Sequence, residues 1–210
     1  MSKQLTRSDV LYMQRVCAVC GIYRGPLDGK WTSAVADAEQ ALDAQRQQLR
    51  DRLGAFDPRS ERNIGTLMPP AQKVAREFMR AAAEFPLAVR IISGSRTYAE
   101  QDALYAIGRT VEIRRGPVTN ARGGRSNHNF GLAWDVGIFE ADGRYMTGAR
   151  KGDSEAYREL AKLAKAKVAQ LEWGGDWKSF VDPPHYQFAT GGKSTAEVRA
   201  LFEAGRALGV

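Results

Sequence analysis

Apolar positions recur at helical spacing over residues 8–21, at Val10, Leu11, Met13, Val16, Cys17 and Cys20. Ser8 or Asp9 serves as an N-cap and Gly21 as a stop. A second helical stretch from Thr32 to Leu53 carries Val35, Ala38, Leu42 and Leu49, and a third from Pro70 to Glu84 carries Val74, Phe78 and Ala82. Between these, Arg52 to Asn63 is polar and aperiodic and reads as a linker. Leu87 to Ser93 is short, apolar and β-branched, which predicts a buried strand. Thr97 followed by Glu100 is a capping-box pattern that opens a helix over Tyr98 to Ile107. Gly131 to Phe139 reads as a strand that turns at Asp142-Gly143. A helix over Ser154 to Gln170, a short strand at His185 to Phe188 and a helix over Ser194 to Leu208 complete the chain. Helices and short strands without βαβ alternation predict an α+β fold.

The 210 residues allow one medium domain, or one with a small appendage, and 43% apolar content is enough for a core. The longest apolar runs are far below the roughly 20 residues that span a bilayer. Residues 1–9 lack the apolar stretch and cleavage site of a secretory signal, so synthesis and retention in the cytoplasm are expected until something releases the protein. The net charge of +7 favours an anionic partner, such as a wall polymer or a membrane surface. The cations are dispersed and no arginine stripe alternates with aromatics, which argues against nucleic acid. Cys17 and Cys20 form a lone CxxC inside an apolar helical pattern, and the reading taken is two small residues on a buried face.

The two histidines of the chain, His128 and His185, share their surroundings with carboxylates, glycines and tryptophans. Together with Asp135 they form a three-ligand set that leaves a fourth position for water, the arrangement of catalytic zinc sites. His128 suits a loop and Asp135 a strand returning to the same point, with Gly131 between them allowing close approach; His185 would come from a neighbouring strand. Such a site needs a base. Asp182, held by Pro183 and Pro184 three residues before His185, is the best candidate; Glu172 is the rival and, like Asp176, reads more simply as a surface carboxylate at a helix end. Arg96 could donate to a carbonyl oxygen gaining charge, or lock the fold as an ion pair. Gln101 and Ser126 could meet polar groups of a substrate, although Ser126 could equally be a turn residue.

The run Ser126-x-His128-x-x-Gly131-x-Ala133-x-Asp135, the upstream Ser93-Gly94-Ser95-Arg96-Thr97 with Gln101, and the downstream Asp182-x-x-His185 resemble the zinc D,D- and L,D-peptidases of the peptidase M15 family. Within it, the likeness is nearest to the L-alanyl-D-glutamate endopeptidases of phage endolysins and bacterial wall hydrolases. It covers about residues 66–190. It implies one Zn2+ held by His128, Asp135 and His185, Asp182 as general base, Arg96 on the oxyanion, and Ser126 and Gln101 beside the substrate. It also implies a small antiparallel sheet flanked by helices. Met13-Gln14-Arg15 and Gly21 to Gly29, with Thr32, Ala34 and Val35, are similar to the helical peptidoglycan-binding domain of wall hydrolases.

The expected organisation is therefore a helical, wall-binding unit over residues 1–55, a linker over 56–65, a zinc peptidase domain over 66–192 and a C-terminal helix over 193–210. Three functions fit: an endopeptidase cutting the L-Ala–D-Glu bond of peptidoglycan as a phage lysin; a D,D-carboxypeptidase or dipeptidase acting on D-Ala-D-Ala; and a non-catalytic wall-binding protein with structural zinc. A monomer is expected, with an anionic wall or outer-membrane surface as a further partner. The terminal helix is expected to dock on the domain.

Overall fold

The computed structural model describes residues 5–147 and 150–209, except the side chain of Lys151. Seven helices are described: α1 (Arg7–Val19), α2 (Ser33–Leu53), α3 (Pro58–Ile64), α4 (Pro69–Ala82), α5 (Tyr98–Ala106), α6 (Lys151–Lys167) and α7 (Thr195–Glu203). Four strands, β1 (Ala88–Ser93), β2 (Ala133–Phe139), β3 (Leu171–Trp173) and β4 (His185–Phe188), form one sheet in the order β1-β2-β4-β3, every pair antiparallel. The fold is α+β, as the pattern predicts. Among the described residues, no helix is long and apolar enough to cross a membrane.

Local chemistry sets the helix ends. Thr6 and Asp9 form a reciprocal cap on α1, and Thr97 and Glu100 form the predicted one on α5. Thr32 caps α2, which stops at Gly54. The predicted hairpin after β2 is present, with Phe139 bridging to Tyr145. The last helix is shorter than predicted: it ends at Glu203, and Gly205 closes it with Arg206 N donating to Leu201 O at 2.9 Å. The helix predicted over Ser154 to Gln170 is α6, which starts at Lys151 and ends at Lys167, and β3 follows at Leu171–Trp173.

Strongly amphipathic α4 lies on one face of the sheet and buries Val74, Ala75, Phe78 and Met79. Phe78 meets Tyr186 of β4 at a ring separation of 4.6 Å and Trp134 of β2 at 6.3 Å. Burying a side chain of this size contributes about 1.5–3 kcal/mol. Side chains alternate along a strand, so Trp134 and Tyr186 point to this core while Asp135 and His185 point to the opposite face.

Two expectations about organisation change. The segment expected as a linker contains α3, which is capped by Asp57 and starts at Pro58. Ser60 Oγ accepts from Ile91 N at 2.9 Å, and Asn63 Nδ2 donates to Ile91 O at 2.8 Å, tying α3 alongside β1. The helix escapes a periodicity search because it is seven residues long and buries only Ser60 and Ile64. In addition, the first 55 residues do not form a core of their own. Val10, Cys17, Val35 and Leu42 belong to one continuous apolar cluster with Phe78, Trp134 and Tyr186. As expected, α7 docks on the domain: Phe202 is stacked between Tyr12 of α1 (5.6 Å) and Phe130 (5.3 Å). Cys17 is fully buried on α1 as expected, whereas Cys20 caps the helix end and is half-buried; burial pushes their thiols up to about 11 and about 12.

Candidate metal centre

His128 sits in a single 3-10 turn, Asn127–Phe130, that leads into β2. Gly131 closes the turn with φ +68, and a Cβ there would press on Met68 N at 3.1 Å, so glycine suits both the conformation and the space. Asp135 in β2 and His185 in β4 are direct partners across the antiparallel ladder. Three distant segments thus meet on one sheet face. His128 Nε2 lies 3.1 Å from Asp135 Oδ1 and 3.2 Å from His185 Nδ1, and Asp135 Oδ1 lies 3.6 Å from His185 Nδ1. Among the described residues, this is the group of histidine, cysteine and acidic side chains able to hold an ion, its ligand atoms all within 4.8 Å of one another.

The surrounding hydrogen bonds decide which atoms carry protons. His128 Nδ1 is 2.7 Å from the carbonyl of Gly94, which only accepts, so Nδ1 carries the hydrogen and Nε2 presents a lone pair. His185 Nε2 lies 3.1 Å from Gln187 Oε1, an acceptor as well, so Nδ1 presents the lone pair. Arg96 Nη2 holds the other oxygen of Asp135, Oδ2, at 2.6 Å. Three electron-rich atoms therefore converge while their outer sides are held by complementary partners, the pattern that surrounds a metal ion. Two facing lone pairs repel unless a cation lies between them. The donor set fits a divalent metal.

The charges agree. Burial pushes His128 down, against the pull of Asp135, and keeps the imidazole neutral as a ligand must be. Burial alone would raise Asp135, but His128, His185 and Arg96 outweigh it and hold the carboxyl well below the usual range. Asp182 differs: its burial, aided by the charge of Asp135, raises it despite His185 and Arg96. An ionisable group shifted toward neutrality suits proton transfer.

The centre opens into a cavity of about 1260 Å3 whose walls include Arg96, Ser126, Asp182, Trp177 and Phe180. Asp182 is held by its backbone, with its N–H donating to Gly174 O at 3.0 Å and its C=O accepting from His185 N at 3.1 Å. A Cβ on Gly174 would meet Asp182 O at 2.6 Å and His185 Cβ at 2.9 Å, so this close approach requires glycine. Trp173 Nε1 donates to Pro183 O at 2.8 Å and fixes the same loop, while Trp177 lies against His185 at 4.7 Å.

Arg96 lies between the centre and the cavity. It is ion-paired to Asp135, and it also faces the cavity. Ser126 is on the cavity wall. Gln101 is not where a substrate contact would be: it is fully buried, its Oε1 accepts from Arg96 Nη1 at 3.0 Å, and its Nε2 donates to Ala121 O at 2.9 Å. It braces Arg96 and the 119–121 loop. Glu172 is not at a helix end but in β3, opposite Gln187 and on the cavity wall. Asp176 remains on the surface, paired with Lys165. Gln187, Asn127 and the carbonyl of Gly94 went unread in the sequence. Of these, only Gln187 left a signal, since two residues after His185 in a strand means the same face.

Comparison with known proteins agrees with this geometry. The peptidase M15 group described as D-alanyl-D-alanine carboxypeptidase matches residues 119–188. The chain is 40% identical over 126 residues to the peptidoglycan L-alanyl-D-glutamate endopeptidase CwlK of Bacillus subtilis (strain 168), an alignment covering 58% of this chain and 72% of that protein. It is 31% identical over 140 residues to the L-alanyl-D-glutamate peptidase of Listeria phage A118, covering 65% of this chain and 43% of the phage protein. A crystal structure of Serratia marcescens L-Ala D-Glu endopeptidase ChiX aligns at a TM-score of 0.47 and 25% identity, over 65% of this chain and 90% of that one. With the His-Asp-His centre set on an antiparallel sheet, the family match and the likeness to CwlK make the protein a metallopeptidase, and the chain belongs to the peptidase M15 family.

Proposed function

We propose that this protein is a zinc-dependent peptidoglycan hydrolase that cleaves the L-Ala–D-Glu bond of stem peptides. The observation that carries the reading is the convergence of His128 Nε2, Asp135 Oδ1 and His185 Nδ1, each with its outer side held, at the floor of an open cleft. The choice of bond rests on the relatives, two of which are named for that cleavage. Zinc held by these atoms would polarise the scissile carbonyl and acidify a water to a nucleophile near neutral pH.

The protein's own groups do the rest. Asp182, half-buried near His185, takes a proton from the attacking water and returns it to the leaving amine. Arg96 uses three of its five N–H bonds on Asp135, Gln101 and Ser93. The remaining two have no partner among the described residues and would serve the carbonyl oxygen as it gains charge. Ser126 meets polar groups of the peptide at the cavity wall. Action as a phage lysin on the wall after release, supported by the phage relative, is the setting we propose. Wall retention through the α1–α2 region belongs to the same proposal; Trp31, 46% exposed between those helices, is available for it.

One observation favours a second reading: the matching family description is D-alanyl-D-alanine carboxypeptidase. Mass spectrometry of digested muropeptides separates the two. New N-terminal D-Glu supports the endopeptidase; release of free D-Ala without it overturns that assignment and favours the carboxypeptidase.

A further inference from the structure

The face of the sheet that carries the centre continues beyond its ligands. Asp135 pairs with His185, and one step along the ladder Gln187 pairs with Ala133 on one side and Glu172 on the other. Residues two apart on a strand share a face, so Gln187 lies beside His185, and Glu172 extends the row. Gln187 is buried at 5% exposure; Glu172 is half-buried at the cavity wall.

The hydrogen bonds along this row run in one direction. The Glu172 carboxylate only accepts, and its Oε2 takes a hydrogen from Gln187 Nε2 at 2.6 Å. The NH2 end of Gln187 must then face Glu172, so its Oε1 faces the opposite way. There it accepts from Asn127 Nδ2 at 2.9 Å and from His185 Nε2 at 3.1 Å. A free amide rotates its oxygen and nitrogen at little cost; this one is pinned at both ends. With Oε1 fixed as an acceptor, the hydrogen of His185 sits on Nε2, and Nδ1 faces His128 and Asp135 as a lone pair.

We infer that Glu172 and Gln187 are positioning residues that set the tautomer and orientation of His185, so that its Nδ1 is ready for the metal before the metal arrives. This assignment rests on the metal-centre reading above, and it gives Glu172 a task other than proton transfer. Without Glu172, Gln187 can turn its NH2 toward His185, with the Asn127 amide turning alongside to offer its otherwise unpartnered Oδ1; His185 then has to offer Nε2 as acceptor and carry its hydrogen on Nδ1, against the centre.

The test uses the full chain and two readouts. Long-range 1H–15N spectra of the metal-free protein report the tautomer of His185, and competition with a chromogenic chelator reports Zn2+ affinity. The unaltered protein should show His185 protonated on Nε2. Glu172→Ala should mix or reverse that tautomer and weaken zinc binding by roughly 10–100-fold, the usual effect of losing a partner behind a ligand. Glu172→Gln, whose amide oxygen still accepts from Gln187, should restore most of both. Gln187→Ala should act like Glu172→Ala; should it fail to fold, the Glu172 pair decides alone, since that side chain is half-buried at the cavity wall. A Glu172→Ala protein with the native tautomer and native zinc affinity overturns the inference. Absence of zinc binding by the unaltered protein overturns the metal reading instead, and the tautomer spectrum still decides the role of Glu172.

Discussion

Asp135 and His185 stand opposite each other on β2 and β4, with Oδ1 and Nδ1 3.6 Å apart. Their spacing is thus a property of the β ladder and needs no loop to bring them together. Asp135→Ala removes a ligand and leaves Arg96 without its carboxylate, so zinc should be lost to a greater degree than the roughly 10–100-fold typical of an outer partner. Metal analysis after gel filtration checks this, and near-native zinc content in the variant would contradict the site.

Asp182→Ala should retain zinc and the native circular dichroism spectrum but lose about 10²–10⁴ in turnover. A base works only when deprotonated, so activity falls as pH drops through its pKa. Burial raises Asp182 in the metal-free protein, where carboxyl 13C shifts should follow its titration above the ordinary aspartate value of ~3.9. Full activity in the variant would remove Asp182 from the mechanism.

Glu61 and Arg76 join α3 to α4 through two bonds of 2.9 and 3.0 Å, with Arg76 at 3% side-chain exposure. Burial would raise Glu61, but Arg76 and the N–H of Phe56 outweigh it and lower its pKa. A carboxyl lowered in the folded state gives stability that is present above its unfolded pKa, roughly 4.3, and is lost as pH falls through the folded value. Urea midpoints between pH 7 and pH 3 should drop for the native chain and drop less for Glu61→Gln. Glu61→Ala should cost about 3–5 kcal/mol at neutral pH, because it strands a buried guanidinium; an unchanged midpoint would refute this.

Phe202 is clasped by Tyr12 and Phe130, and Phe130 belongs to the turn that carries His128. Phe202→Ala should cost about 3–5 kcal/mol. Deleting residues 1–53 should expose the outer apolar side of α4 and give insoluble or unfolded protein. A soluble, two-state truncation with native zinc affinity would show the N-terminal helices to be dispensable.

The sequence made the long periodic elements legible. Its reading of α2 and β4 matches the structure to within a residue, because caps and apolar spacing bounded them. The convergence of His128, Asp135 and His185 was legible too, since the chain has two histidines and few carboxylates near them. What escaped was carried by non-local hydrogen bonds. Nothing local marks Ser60 and Asn63 as partners of Ile91, and the three residues of β3 exist only because β4 lies beside them. Gln101 looked available for substrate until Arg96 and Ala121 were found occupying both ends of its amide.

The tie between α3 and Ile91 also affects how copies of this protein coexist. An outermost strand with open N–H and C=O groups is a template on which another chain's strand can grow, the first step toward fibrils. Here Ser60 and Asn63 saturate Ile91 on that border, and the opposite border is a strand of three residues, too short to recruit much. The same contacts that steady the first strand of the sheet thus leave less of its border open to a second chain.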